Sequence, residues 1–155
     1  MSAPLVSVLI PARDAAATLP AALASLRRQS EPRFECIVVD DGSRDATRAA
    51  AERFASEDPR FRTLATARRG IVPALLDGLA ACRAPWVARL DADDLAHRRR
   101  LELQLAALAA QPALAGVGCH VRMFPRARLR PGLRAYEGWL RGLRDARALR
   151  AARFV

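Results

Sequence analysis

Apolar residues along this chain fall into short blocks that alternate between two spacings. The run at 5–10 is continuous apart from Ser7, and the run at 34–39 is nearly as dense. Runs of that kind suit strands buried on both faces of a parallel sheet. A weaker run covers 61–66, Trp86, Val87, Ala88 and Leu90 form a fourth, and a fifth strand is predicted at 116–121. Between these runs the spacing lengthens to that of a helix. Leu19, Ala22, Leu23 and Leu26 recur at i, i+3, i+4 and i+7, with Thr18 as the expected N-cap and Pro20 in the first turn, where its missing N–H costs little. Pro11 is expected to end the first strand, before a loop at 12–14. Ala46, Ala50 and Phe54 mark a second helix to about residue 55, capped by Ser43 or Asp45. Leu75, Leu76 and Leu79 mark the apolar face of a third, ending near Cys82, and Leu101, Leu105 and Leu108 that of a fourth over 98–110. Strand and helix alternate from residue 5 to 121, which predicts an α/β domain with right-handed crossovers and a mostly parallel central sheet flanked by helices.

Past Phe124 the pattern weakens. Pro125, Pro131 and four arginines up to Arg134 predict a loop, and 136–149 a helix with Trp139, Leu140 and Leu143 on its apolar side. The expected division is an α/β domain over 1–122 and an arginine-rich tail over 123–155. The tail ends at Phe154 and Val155 without a turn signal.

The 155 residues, 52% apolar and 27% charged, are enough for one globular domain with a real core. All 26 basic residues are arginine, and the formal net charge is +10. Arginine is dense at 98–100 and again from Arg122 to Arg153. Such a surface fits nucleic acid or an anionic membrane, or is the solvated face of an arginine-biased protein. No aromatic stacking platform is interleaved with the arginines, which counts against nucleic acid. Cys36, Cys82 and Cys119 are odd in number and set in apolar runs, as small buried hydrophobes in a reducing compartment would be. No signal-peptide pattern is present, and no apolar run nears the roughly eighteen residues that span a bilayer. A cytoplasmic chain is expected, with the tail as its one point of peripheral contact with the inner face of a membrane.

Chemistry concentrates where two strands end in acid: Asp40 and Asp41 after the second, and Asp91, Asp93 and Asp94 after the fourth. Ligands of open α/β sheets bind beyond the carboxyl ends of the strands. Alternate residues of an extended segment point the same way, so Asp91 and Asp93 can converge. Like charges that close repel unless a cation lies between them, and a hard divalent ion with sites left for phosphate oxygens would serve. The other reading is a solvated turn, with Asp93 or Asp94 capping the next helix. A glycine cradle is absent: no G-x-G-x-x-G follows the first strand, and the lack of lysine rules out a P-loop.

Four segments carry a further signal. They are Val-Ser-Val-Leu-Ile-Pro-Ala-Arg-Asp at 6–14, Val-Val-Asp-Asp-Gly-Ser-Arg-Asp-Ala-Thr at 38–47, Arg-Gly-Ile at 69–71 and Ala-Arg-Leu-Asp-Ala-Asp-Asp at 88–94. In that order and spacing they resemble the family-2 glycosyltransferases, nucleotide-sugar transferases of the GT-A fold. The resemblance runs from residue 5 to about 122 and implies a Rossmann-like GT-A sheet that binds a nucleoside-diphosphate sugar. Carried over, it sets Pro11 and Ala12 beside the base and ribose. Asp41 would accept a hydrogen bond from the base, Asp40 would support that loop, and Arg69, Gly70 and Ile71 would lie near the nucleotide. Asp91 and Ala92 would approach the ribose, and Asp93 with Asp91 would hold Mn2+ or Mg2+ on the diphosphate. For Asp94 the resemblance leaves a water-mediated ligand or a helix cap, the cap being preferred.

Several positions depart from the family pattern. Asp14 and Asp77 stand where the family usually has asparagine, so a donor–acceptor amide becomes an acceptor-only carboxylate. Arg98 stands where proline is common, His97 is read as a helix-start residue, and His120 has no assigned role. The largest departure is length. The family's second half, with the acceptor site and the acidic general base, would follow this chain, and neither Glu137 nor Asp145 sits in a matching motif. The expectation is therefore a donor-binding part, truncated before the acceptor half, of an inverting, metal-assisted transferase whose acceptor is unidentified. A non-catalytic nucleotide-sugar-binding module is the other reading, and an arginine-mediated nucleic-acid binder a third.

Overall fold

Four of the five expected strands form, and all are parallel. They are β1 (Val6–Ala12), β2 (Phe34–Asp41), β3 (Phe61–Thr66) and β4 (Trp86–Arg89), in the spatial order β3-β2-β1-β4. The computed structural model describes residues 3–152 and divides after Ala110 into two compact units. Arg153, Phe154 and Val155 of the expected tail lie outside the described residues. The first unit adds α1 (Leu19–Arg27), α2 (Thr47–Glu57), α3 (Ile71–Ala80) and α4 (Arg100–Ala110) to the sheet.

Both central strands run past their expected ends. Pro11 stands opposite Val39 and Ala12 opposite Asp40; a proline one residue from the end of a strand forfeits a single ladder bond, and its fixed φ is compatible with extended backbone. Side chains then alternate across the sheet. Val6, Val8 and Ile10 of β1 and Phe34, Cys36 and Val38 of β2 join Leu19, Leu23, Leu26, Phe54 and Leu101 in the larger core. Leu9, Ile37 and Val39 point to the opposite face, against Ala74 of α3.

That second face explains where the helix readings failed. α3 approaches so closely that a Cβ on Gly78 would lie 2.2 Å from Leu9 Cδ1 and 2.7 Å from Val39 Cγ2. Its small residues, Ala74 and Gly78, therefore face the sheet. Leu76 and Leu79, expected on the buried side, are 60% and 50% exposed. α2 is shifted likewise, burying Thr47, Ala51 and Phe54 and exposing Ala46. Neither candidate holds the N-cap place, which falls to Ala46 without a side-chain cap bond, although Asp45 just before it accepts the Thr47 N–H at 2.9 Å. Thr18 makes no capping bond to α1.

Residues 116–121 form no strand; Gly116 and Gly118 supply no side chains to pack and weaken extended structure. Cys119 is consequently exposed, whereas Cys36 is buried and Cys82 half-buried. In the second unit the single expected helix is two, α5 (Pro131–Gly142) and α6 (Ala146–Ala152), preceded by a 3-10 turn at Arg126–Arg128. α5 begins earlier than expected because Pro131 suits a first helical turn, and it ends at Gly142, a poor helix former.

A buried acid ties the first unit together. Glu35, 2% exposed, faces Ser7 across the β1–β2 ladder. Its Oε1 accepts from Ser7 Oγ and from the Arg83 backbone N–H, both at 2.7 Å. Its Oε2 accepts from Arg83 Nε and Arg62 Nη2, both at 2.9 Å. Arg62 also donates to the Ala81 carbonyl at 2.7 Å, and the Ala84 N–H donates to Ser7 Oγ at 3.1 Å. Burial by itself would raise the Glu35 carboxyl. The Ser7 hydroxyl, the Arg83 N–H and guanidinium and the charge of Arg62 outweigh it and hold the group below the ordinary carboxylate range.

Glu35→Gln keeps the shape and removes the charge, and we expect it to cost about 2–3 kcal/mol at neutral pH, read from urea midpoints. A carboxyl depressed in the folded state stabilises above its unfolded pKa and ceases to do so as pH falls through its folded value. The gap between wild type and Glu35→Gln should therefore narrow in acid. Equal midpoints at pH 7 would refute the role of Glu35.

Candidate functional site

The strand order reverses beside β1: the chain steps outward to β2 and β3, then returns to the far side of β1 as β4. An open α/β sheet leaves a crevice at the carboxyl ends of its strands at such a point. Pro11 and Ala12 end β1 there, and Asp40 and Asp41 end β2. Arg89, the last residue of β4, stands opposite Leu9. The Leu90 N–H still donates to the Leu9 carbonyl at 3.1 Å, so the strand's course carries on to Asp91. Only β1 separates Asp91 from the Asp40–Asp41 pair, two strand spacings or roughly 10 Å.

Asp40 and Asp41 alternate across the sheet and do different work. Asp40 Oδ1 accepts from the Ser43 N–H at 3.3 Å and steadies the turn after β2. Asp41, also buried, accepts the Arg69 N–H on Oδ1 at 2.8 Å and the Gly70 N–H on Oδ2 at 2.9 Å. The basic loop is thereby pinned to the end of β2. Gly70, the residue before α3, has φ +94°, a left-handed backbone that suits glycine.

The two asparagine-to-aspartate departures both find donors. The Asp77 carboxylate pairs with the Arg69 guanidinium. Asp14 has φ 48°, a conformation that Asp and Asn tolerate, and its Oδ1 accepts the Arg44 N–H at 2.8 Å. The same loop is stitched to the one after β2. Asp14 N–H donates to Ser43 Oγ at 3.0 Å, Ala15 N–H to Thr47 Oγ1 at 2.7 Å and Ala16 N–H to Asp45 Oδ2 at 3.0 Å. The Thr47 hydroxyl first, and the Ala16 N–H with it, holds the Asp45 carboxyl below its ordinary value.

Beyond β4, Asp91 Oδ1 accepts from Arg89 Nε at 3.0 Å. Ala92 is buried, and Asp93 and Asp94 are exposed. The Asp94 N–H donates to the Asp91 carbonyl at 3.1 Å, closing a turn. α4 begins only at Arg100, so the expected cap by Asp93 or Asp94 is not made. His97 lies in the turn that leads into that helix, its carbonyl accepting the Arg100 N–H at 2.9 Å and its Nδ1 the Arg99 N–H at 3.3 Å. Partial desolvation by the surrounding turn raises the Asp94 carboxyl, and the charges of Asp93 and Asp91 raise it further; negative charge is crowded here. Among the described residues no group of three or more His, Cys, Asp and Glu side chains is placed to hold a metal ion.

Polar residues that the sequence reading passed over hold this acidic loop in place. Ser25 Oγ accepts the Ala96 N–H at 2.9 Å. Gln29 donates to the His97 carbonyl at 2.8 Å and accepts the Leu101 N–H at 3.1 Å. Ser30 donates to Glu102 at 2.6 Å, and the Arg99 guanidinium with that hydroxyl holds the Glu102 carboxyl down to about 2. The available signal was position: Ser25 and Gln29 each lie three residues after an apolar residue of the buried stripe, Ala22 and Leu26.

With this geometry in view, comparison with known proteins is informative. The family model described as Glycosyl transferase family 2 matches residues 7–151. The succinoglycan biosynthesis protein ExoO of Rhizobium meliloti is 36% identical over 136 residues, which cover 81% of this chain and 38% of ExoO. The mannosyltransferase PcManGT from Pyrobaculum calidifontis, solved in complex with GDP-Man and Mn2+, is 30% identical with a TM-score of 0.60, over 76% of this chain and 35% of its own. S. aureus TarS, solved in complex with UDP, shares the fold with a TM-score of 0.62 at 22% identity, over 78% of this chain and 39% of its own. The chain spans between 27% and 44% of the length of curated relatives that it matches.

Asp41→Asn would turn an amide N–H2 toward one of the two backbone donors now held by the carboxylate. We expect a loss of about 1–2 kcal/mol and faster hydrogen exchange at the Arg69 and Gly70 amides. Unaltered protection of both amides would show that the loop is held by something else.

Proposed function

The chain belongs to glycosyl transferase family 2, and from that premise we propose that its first unit binds the nucleoside diphosphate of a sugar donor at the carboxyl edge of the sheet. The parallel sheet flanked by helices is the GT-A fold of its structural neighbours. What carries the reading is the meeting of separate motif segments at one topological switch point. Pro11 and Ala12, the Asp40–Asp41 pair with its pinned Arg69–Gly70 loop, and the acidic turn from Asp91 all gather there.

In this proposal Pro11 and Ala12 lie beside the base and ribose. Asp41 keeps an oxygen lone pair for the base, since a carboxylate accepts more bonds than the two it makes here, and Asp40 supports its turn. Asp91 and Ala92 lie toward the ribose. Asp93, exposed and beside Asp91, suits Mn2+ or Mg2+, because such ions bind through one or two carboxylates and take remaining ligands from phosphates and water. The lack of a three-residue cluster is compatible with that mode. Arg89 already engages Asp91, which makes Asp93 the principal ligand. When bound, the ion would act as a Lewis acid that offsets charge on the departing diphosphate. The complex of PcManGT with Mn2+ supports this use of a metal.

The α/β region 1–122 then serves as the donor domain, and 123–155 as the start of an acceptor-binding region. The complete enzyme would transfer the sugar with inversion, its general base lying outside this chain. Glu137 is a poor substitute: the Met123 N–H leads the interactions that hold its carboxyl below the ordinary range, with Arg126 and Arg141 reinforcing it. Asp145 accepts the Ala148 N–H at 2.8 Å at the start of α6. No helix among the described residues is long and apolar enough to cross a membrane.

Calorimetric titration with UDP, GDP and dTDP, each with and without Mn2+, tests the proposal. We expect one nucleotide to bind in a metal-dependent way. Asp93→Asn should weaken that binding at least tenfold, on the order of 1.4 kcal/mol, while leaving the fold intact by circular dichroism. Affinity unchanged in the variant would sink the metal assignment, and failure of all three nucleotides would sink the donor site.

A further inference from the structure

The acidic turn hangs between two anchors. On one side the Leu90 N–H donates to the Leu9 carbonyl of β1 at 3.1 Å, and on the other the Ala96 N–H donates to Ser25 Oγ of α1 at 2.9 Å. Residues 91–95 between them belong to no helix or strand, so no ladder or helical repeat fixes their course. Leu90, Ala92 and Ala96 are buried in the larger core, while Asp93 and Asp94 are exposed. Where those carboxylates point depends on how firmly the two ends are held.

The second anchor is made of buried polar groups. Ser25 is 4% exposed and Gln29 8%. Ser25 Oγ donates to the Ala22 carbonyl at 2.6 Å, which leaves its lone pairs for the Ala96 N–H. Gln29 uses both ends of its amide, Nε2 donating to the His97 carbonyl at 2.8 Å and Oε1 accepting the Leu101 N–H at 3.1 Å. The Ser30 N–H completes the strip by donating to the Arg98 carbonyl at 2.9 Å. Leu19, Leu23 and Leu26 seat α1 in the core, so the strip is attached to a rigid element.

Gln29 also decides where α4 starts. Leu101 lies in the first turn of that helix, where backbone N–H groups have no partner within the helix and a side chain just upstream ordinarily accepts one. Gln29 supplies that acceptor from another element. The acids of the turn are thereby kept out of the helix start, with their carboxylates turned to solvent.

We propose that Gln29, together with Ser25, is a positioning residue of the donor site, setting the direction of Asp93 and so governing the metal-dependent part of nucleotide binding. The inference rests on reading that site as one for a nucleoside diphosphate and a divalent ion, and adds that the ion's share of the affinity is controlled from α1. Both residues act through the backbone of 96–101. Contacts to base and ribose from Pro11, Ala12 and Asp41 should not feel them.

Gln29→Met keeps the length of the side chain and removes both bonds, and Ser25→Ala removes the neighbouring one. Phe54→Leu, a core change in α2, is the control for ordinary destabilisation. Each variant is titrated calorimetrically with UDP, GDP and dTDP, with and without Mn2+. In Gln29→Met and Ser25→Ala the affinity gained from Mn2+ should fall roughly tenfold, as for loss of a group that orients a metal ligand. Metal-free affinity should stay at the wild-type value, and Phe54→Leu should keep the whole gain. Hydrogen exchange, which needs no ligand, should quicken at the Asp94 amide more than at the amides of β1 in both variants. Should Gln29→Met fail to fold, Ser25→Ala carries the test by itself. An undiminished Mn2+ gain, an equal loss of metal-free affinity, or an unaltered Asp94 amide overturns the proposal and leaves the donor site standing. A wild-type chain that binds none of the three nucleotides overturns the donor reading and this one with it.

Discussion

A carboxylate taken out of water has to be met by donors from every side, and Glu35 meets that demand by recruiting most of the first unit. Its partners belong to β1 and β3 and to the segment that enters β4, and through Arg62 it reaches the carbonyl that follows α3. Apolar packing alone would let parallel strands of similar sequence slide or exchange places, because the hydrophobic effect is not directional. The hydrogen bonds of a charged group are directional. By joining β4 to β1 and β2 at their amino ends, Glu35 helps fix the neighbour relations that create the reversal beside β1, and the site at the far ends of the strands inherits that order.

Legibility in the sequence followed the range of the forces involved. The continuous apolar runs of β1 and β2 were readable because both faces of a central strand are buried, and burial leaves its mark in composition. Glu35 was hidden in just such a run: one acid among apolar neighbours says nothing about partners that lie 27 to 48 residues away. α3 misled for a related reason. Counting leucines points to Leu76 and Leu79, but the distance between backbone and sheet was decided by Gly78, whose contribution is the absence of a side chain. The run at 116–121 had strand-like residues but glycines at two of its six positions.

The candidate site was readable in a different way. Its acids stood out as motifs, and their family resemblance set out an ordered set of roles. The supporting contacts did not stand out, because each is a short polar side chain, Ser25, Gln29, Ser43 or Thr47, bonded to a backbone group far off in sequence. The Asp94 cap failed for a local reason: five residues intervene before α4, too many for a side chain to span. The departures at Asp14 and Asp77 lose nothing by their acceptor-only chemistry, since the groups facing them are donors.

The contact at Gly78 reaches further than packing. α3 starts directly after the loop that Asp41 holds, so loop and helix form one lever, clamped at the end of β2 and resting on Leu9 and Val39 about two turns along. The fulcrum is a bare backbone. Any side chain placed there would lift the helix off the sheet and tilt Arg69 at the other end, roughly 12 Å away by helix rise. Drift at position 78 would thus be felt as a change in site geometry before any loss of core, and a residue with no chemistry of its own helps to set the height of the roof over the crevice.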